Sequence, residues 1–324
     1  TAWFEFANPL APGEQRQGEI SVIREHHGFK NSGEDPTLIK NGTFIDNFAL
    51  FPSFGFSGDA RISDRHERRK RDLEPLKRAY DLEDSSHYQE SFFGPGVAFI
   101  DFSATLSTSA EQFAIAPGYL AKEWQENGRN YYRYEMDAPM VNFFSIMSAK
   151  LDSKKEQYKG VNIEVYYHPS HAWNVDRMIE SSKDSLDYFQ QAFGPYQHKQ
   201  LRIIEFPGYR GFAQSFANTV PYSEDIGFTT DLRDPKDIDP VYYVTAHEVA
   251  HQWWGHQLNA ANVQGSAILS ETLSQYSALM VMKKKYGETR LRQFLTYELD
   301  RYLRGRASEA IEEMPLMRSE NQQY

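Results

Sequence analysis

The chain has 324 residues, with 35 Lys and Arg against 45 Asp and Glu, a net charge of −10 with histidine neutral. That acidic balance argues against nucleic acid as a partner, because phosphate recognition needs a basic face. There is no cysteine, so a disulfide framework is excluded and every metal ligand must be His, Asp or Glu.

The sequence shows no signal peptide and no apolar run near the ~18 residues that a spanning helix needs. It opens with Thr1 rather than Met, which reads as a processed or excised piece of a longer protein. Residues 1 to about 155 read as strands and turns. Trp3–Phe6 opens a strand, and Asn8-Pro9-Leu10-Ala11-Pro12-Gly13 is turn chemistry. Ile20, Val22 and Ile23 are expected to begin another strand, and His26-His27 to lie in a loop. The segment from Phe44 to Phe56 is rich in Phe, with Pro52 and Gly55 limiting its regularity. Val97–Leu106 and Tyr131–Met136 are extended, partly alternating runs. Short strands at this spacing suggest a β-sandwich.

Arg61 to Arg78 is dense in charge, including Arg65, Arg68, Arg69, Lys70 and Arg71. A solvated helix or hairpin is the preferred reading, since charge runs usually face water. Contact with anionic lipid headgroups is the sharper alternative.

From Tyr158 the pattern changes. Val161, Ile163, Val165 and Tyr167 alternate as a strand. His168-Pro169-Ser170-His171 then has the components of a metal-binding pair, but the proline and the strand-end position favour a surface turn. Val175 to Phe193 carries helical spacing and stops at Gly194-Pro195, and Leu201–Phe206 is the next strand. Asp239-Pro240 supplies an N-cap and a first-turn proline, opening a helix closed by Gly255. Ser266 to Tyr286 is expected to be a further helix ending at Gly287, with Glu271 in its second turn. Mixed strands and helices make this half α/β or α+β. The expected organisation is therefore an α+β multidomain chain, with a β-sandwich over 1–157 and a catalytic domain over 158–324.

Within the capped helix stands Thr245-Ala246-His247-Glu248-Val249-Ala250-His251. Two histidines four apart leave one helix face a turn apart, which suits two nitrogen ligands on one zinc ion. Glu248 sits where a carboxylate can take a proton from a metal-activated water. A third ligand is needed, and Glu271 on the next helical stretch can supply it. Three ligands and an open fourth position mark a catalytic centre rather than a structural one. Gln275, one turn after Glu271, is placed to orient that carboxylate. His256 lies just beyond the helix and has two readings, a group behind the ligands or a solvent-facing side chain.

These residues resemble the aminopeptidase N-type zinc metallopeptidases, the gluzincins. Several stretches carry the likeness: Pro9–Glu14, Pro139–Asp152, Tyr188–Tyr196, Leu201–Pro207, His247-Glu248-x-x-His251-Gln252-Trp253-Trp254-Gly255 and Leu269-Ser270-Glu271. The resemblance implies a β-sandwich followed by a thermolysin-like catalytic domain. It also implies one zinc held by His247, His251 and Glu271, and Glu248 as general base. More narrowly, the chain is similar to peptidase domains fused to bacterial ABC-transporter-like permeases. This implies a peptide substrate, a longer membrane-anchored parent and an extracytoplasmic position.

Three departures qualify the likeness. The interval from Gln252 to Ser270 is nineteen residues, one longer than usual in the family, an insertion that a loop absorbs. The family's Gly-x-Met-Glu-Asn segment, whose glutamate holds the substrate's free amine, falls here on Gly211-Phe212-Ala213-Gln214-Ser215-Phe216-Ala217-Asn218. Gln214 and Ser215 can hydrogen-bond a peptide but lack the charge that a buried ammonium asks for; Glu224 or Asp225 are the possible substitutes. The family's Tyr-x-Lys-Gly context for a transition-state tyrosine does not occur before the last residue, Tyr324, so the catalytic domain is expected to be incomplete at the C-terminus. The reading reached is a zinc metallopeptidase with altered amine recognition. The alternative is a catalytically weak zinc domain that binds a peptide or partner for a transporter. Hydrolysis of a non-peptide amide or epoxide ranks third.

Overall fold

The computed structural model describes residues 5, 7–26, 37–51, 61–94, 97–234, 238–309 and 312–320. The strand expected at Trp3–Phe6, the histidine at position 27, the stretch from Pro52 to Phe56 and Tyr324 lie wholly or largely outside them. Over the described part of 1–26 the chain has turns but no strand, which corrects the expectation for Ile20–Ile23. Those side chains are exposed, Ile23 to 85%, so no apolar face is buried that would hold a strand in register.

The first half is built from short antiparallel strands. β1 (Thr43–Asp46), β8 (Ser145–Ala149) and β4 (Phe113–Ile115) form one sheet in the order β1-β8-β4. β3 (Ser103–Ser109), β6 (Arg129–Glu135) and β5 (Tyr119–Glu126) form a second in the order β3-β6-β5. β2 (Phe99–Ile100) and β7 (Met140–Val141) pair separately. Ala114 and Ala116 pack beneath Tyr132 and Tyr134, so small residues on one layer receive aromatic rings from the other. The Phe-rich stretch becomes β1 followed by the single-turn helix α1 (Asn47–Leu50). Within the charged insert, α2 (Arg65–Arg69) is wholly without buried residues, and Glu67 pairs with Lys70 at 2.9 Å and Arg71 at 2.6 Å. The basic run is thus solvated and partly neutralised on its own helix.

The second half is a four-stranded sheet in the order β12-β11-β10-β9, made of β9 (Asp152–Tyr158), β10 (Val161–Tyr167), β11 (Gln200–Phe206) and β12 (Thr219–Ser223). β9 and β10 are an antiparallel hairpin, so the division drawn at residue 157 runs through a paired strand. β10, β11 and β12 are parallel. β11 is buried along its whole length, as a central strand covered on both faces must be. Leu201 and Ile203 point into the cluster formed with helix α3 (Val175–Phe193), whose Met178, Ile179, Leu186 and Phe189 are its buried stripe. Ile204 and Phe206 point the other way, against Phe44, Ile115 and Met147 of the first sheet.

Arg202 ties these layers together. It is fully buried, and its Nη2 donates to the Ala116 and Gly118 carbonyls at 2.7 and 2.8 Å and to Thr219 Oγ1 at 3.1 Å. Its guanidinium stacks 5.1 Å from the Tyr134 ring centre. Gly118, with φ +92°, is needed there because a Cβ would lie 2.7 Å from the Glu135 backbone.

Two helices complete this half, α4 (Pro240–Ala250) and α5 (Glu271–Ser308). α4 opens as its sequence demands, with Asp239 accepting the Tyr242 N–H at 2.9 Å. It is buried nearly all round. α5 departs from expectation at its start. Ser266–Ile268 is a separate 3₁₀ turn, Ser270 is the N-cap and Glu271 is the first helical residue. Gly287 (φ 78°, ψ 177°) is non-helical and ends the first helical stretch as expected, and a second stretch continues across this kink to Ser308. Among the described residues no helix is long and apolar enough to cross a membrane.

Candidate metal centre

α4 ends one residue before His251, and the chain turns away at Gly255, whose φ is +132°. Two tryptophans fasten that exit. Trp253 Nε1 donates to the Gly194 carbonyl closing α3, at 3.1 Å, and Trp254 Nε1 donates to Ser277 Oγ on α5, at 3.0 Å. Ser270, Ser274 and Ser277 are all buried, and at this spacing they lie along one face of α5. Small side chains there let α5 approach α4 closely.

That approach brings Glu271 over the two histidines. His247 Nε2 and His251 Nε2 are 3.0 Å apart, and Glu271 Oε2 lies 3.4 and 3.5 Å from them. Donors on a tetrahedral zinc with bonds of about 2.0–2.1 Å stand about 3.3 Å apart. The three separations bracket that value, so the trio fits one ion. The rings stand at 89° to each other, which aims both Nε2 atoms at a common point rather than stacking them. The Trp254 carbonyl, 3.0 Å from His251 Nδ1, can only accept. His251 therefore carries its proton on Nδ1 and presents the Nε2 lone pair to the site.

Burial works against a charged Glu271, yet hydrogen bonds to His247 and His251 outweigh it and hold its carboxyl well below the usual carboxylate range. Burial likewise opposes a charged His251, but Glu271 and Glu248 together push it up to about 9. Two imidazoles and a carboxylate drawn together this way form a donor set that a divalent cation would satisfy in place of protons.

Glu248 is buried. Burial pushes its carboxyl up, while the Ser215 backbone N–H bonds to it and favours the charged form. Its Oε2 has no hydrogen-bond partner among the described residues, and neither has the buried His247 Nδ1. An unpaired carboxylate oxygen beside a metal-ligand trio suits a group that takes a proton during a reaction.

The segment opposite is Gly211–Asn218, where the resemblance leads one to expect the amine-binding motif. Residues 212–216 fold back on β12 through a turn at Ala217-Asn218, where Asn218 takes φ +49°. Phe216 and Thr219 exchange hydrogen bonds, and Gln214 N–H donates to the Pro221 carbonyl at 3.1 Å. Gln252 clamps this hairpin to the metal helix. Its Nε2 donates to Ser215 Oγ at 2.6 Å and to the Phe216 carbonyl at 2.8 Å, and its Oε1 accepts the Asn218 N–H at 2.9 Å. His256 completes the clamp by donating Nε2–H to the Ser215 carbonyl at 2.9 Å. It is 5% exposed, which overturns the solvent-facing reading, and burial lowers its imidazole to about 4.

Of the expected substrate groups, Ser215 is 1% exposed and its hydroxyl is engaged. Gln214 is half-buried, its amide 3.5 Å from the Ser215 carbonyl. Glu224 does not join this centre but stands with His171 and Glu205. Gln275 bonds Glu298 at 2.8 Å and not Glu271, correcting its expected role. Gln252 and Ser274 were missed as components of the site, while His256 takes the first of its two readings, behind the ligands. The serine spacing on α5 was the available signal for Ser274.

Residues 177–323 match the peptidase family M1 domain. The leucyl aminopeptidase of Saccharolobus solfataricus is 22% identical over 139 residues, 42% of this chain and 18% of that protein. Endoplasmic reticulum aminopeptidase 2 of Homo sapiens is 27% identical over 135 residues, 40% of this chain and 14% of that protein. The chain thus matches less than a fifth of the length of these relatives. The M1 zinc metallopeptidase of Deinococcus radiodurans shares the fold, with TM-score 0.51 and 18% identity, over 69% of this chain and 48% of that one.

Proposed function

We propose that this chain is a zinc metallopeptidase of the aminopeptidase N type, with a β-sandwich preceding a thermolysin-like catalytic domain. The observation that carries the reading is the His247–His251–Glu271 trio at 3.0–3.5 Å beside the unpaired Glu248 oxygen, within the stretch that matches family M1.

His247 and His251 through Nε2, and Glu271 through Oε2, would hold one zinc ion. When bound, the ion polarises a carbonyl and lowers the pKa of water from 15.7 towards about 7. Glu248 accepts a proton from the attacking water and delivers it to the leaving amine, which one buried carboxylate with a free oxygen can do in turn. The backbones of Gln214 and Phe216 are committed to β12 and the Ser215 carbonyl to His256, which leaves the outward edge at Ala213 for a peptide, with Gln214 the side chain placed to meet it.

No carboxylate occurs in Gly211–Asn218, so discrimination for a free amino terminus is expected to be weak. That same absence favours the second reading, a zinc domain that binds peptides with little turnover. Attachment to a membrane permease and an extracytoplasmic position belong to this proposal as well. They are checked by asking whether the native protein sediments with membranes and is cleaved by protease added outside intact cells.

The deciding experiment is zinc per chain, wild type against Glu271→Ala, together with hydrolysis of paired peptides with free and acetylated amino termini. One ion lost in the variant, with both peptides cleaved, supports the reading. A zinc count in Glu271→Ala unchanged from wild type overturns the ligand set. Zinc bound without hydrolysis of either peptide favours the binding domain.

A further inference from the structure

The parallel strands β10, β11 and β12 all end on one edge of the sheet, the edge where α/β proteins gather ligands. Three side chains converge there. His171 follows β10 in the loop before α3, Glu205 is the penultimate residue of β11, and Glu224 directly follows β12. Their donor atoms all lie within 4.8 Å of one another and form a group separate from His247, His251 and Glu271. The geometry points to a second divalent-metal site, formed by His171, Glu205 and Glu224 and suited to an ion of the zinc or manganese class.

Each carboxylate has one oxygen anchored and the other turned inward. Glu205 Oε2 accepts the His168 N–H at 2.6 Å, while Oε1 faces His171 Nδ1 at 2.5 Å. Glu224 Oε1 accepts the Gly208 N–H at 2.8 Å, while Oε2 faces the same Nδ1 at 3.8 Å. The anchoring loop comes so near that a Cβ at Gly208 would lie 3.3 Å from Glu224 Oε1. Backbone donors thus fix both carboxylates without using up their inner oxygens. The two inner separations bracket the roughly 3.3 Å expected between donors on a tetrahedral ion.

The Glu205 side chain is only 3% exposed, and a carboxylate so enclosed needs a positive charge beside it. The His171 and Glu224 side chains are 23% and 33% exposed, which leaves the ion a way in and a face for water. One nitrogen and two carboxylate oxygens suit zinc or manganese; calcium takes 6–8 oxygens. His171 Nδ1 now donates to Glu205, so on ion binding its proton moves to Nε2 and Nδ1 becomes a ligand. The ion would fasten the loop before α3 and the loop carrying Gly208 to the sheet edge, just ahead of the 212–216 segment.

The test is equilibrium dialysis of the chelator-stripped chain against zinc, and separately manganese, with bound metal counted by plasma mass spectrometry. Five proteins are compared: wild type, His171→Ala, Glu224→Gln, the double variant His247→Ala/His251→Ala, and that double variant with Glu224→Gln added. Glu224→Gln keeps an oxygen for the Gly208 N–H, so it removes a ligand without removing the anchor. Circular dichroism checks folding. Two ions in wild type, one in each of the next three and none in the last are expected. In the double variant, zinc should raise the melting temperature, and adding Glu224→Gln should abolish that rise. An ion kept by the double variant and lost with Glu224→Gln supports this site whatever happens at the first. Wild type holding one ion that only the double variant loses overturns this site and leaves the proposed function standing. No uptake sensitive to His171 or Glu224 also overturns it and leaves a hydrogen-bonded His–Glu pair.

Discussion

Ser274 Oγ lies 3.0 Å from His251 Nδ1, on the opposite side of the ring from the atom that faces Glu271. One turn of α5 therefore supplies both a member of the proposed metal-binding trio and a group that steadies another member on α4. Ser274→Ala removes that support but leaves the Trp254 carbonyl in place. Zinc affinity should fall by about tenfold, the low end for losing a partner behind a ligand. Competition with a chromophoric chelator measures it, and unchanged affinity would mean that Trp254 alone holds the ring.

Glu248→Gln should leave zinc content at wild type, because Glu248 is not among the clustered donors. Loss of the proton acceptor should lower kcat by about 10²–10⁴. Normal turnover on a cleavable peptide would remove Glu248 from the role of base.

His256 gives the fold an acid-sensitive point. Burial first, and the neighbouring His251 and His198 next, lower its imidazole from 6.5 to about 4, while its Nε2–H remains bonded to Ser215. Between those values the unfolded chain binds a proton that the folded chain refuses. Stability is therefore lost as pH falls from about 6.5 to about 4, on the order of 3 kcal/mol in all. His256→Gln can keep a donor near the Ser215 carbonyl while removing the titration. Urea unfolding across pH 4–7 should be flatter in the variant by about that amount; identical slopes would assign the acid sensitivity elsewhere.

Arg202→Ala should cost about 3 kcal/mol or more, because it opens a cavity and strips a donor from the buried carbonyls of Ala116 and Gly118. The urea midpoint reads this directly. A midpoint within error of wild type would show that water replaces the guanidinium without loss.

Much of the catalytic half was legible in the sequence because its signals are local. The i, i+4 histidines, the Asp239-Pro240 start and the Gly194 stop each act within a few residues, and α3 and α4 begin where those signals place them. Glu271 was legible as a candidate third ligand from the following helix. The start of α5 was not, because an N-cap without a side-chain bond is decided by packing. The exposed Ile20–Ile23 shows the converse, a strand-like pattern with nothing to pair or pack against.

By itself the sequence determined the chemistry the chain carries: two imidazoles on one helix face, a carboxylate between them, no thiol, and no carboxylate in Gly211–Asn218. Only the tertiary structure decided which distant groups serve that chemistry. Gln252 and His256 hold a hairpin 34 to 41 residues away. Arg202 reaches 84 and 86 residues back to the first sheets. His171, Glu205 and Glu224 meet only because three parallel strands finish on one edge. Such pairings depend on how sheets and helices stack, and local spacing along the chain carries no record of that.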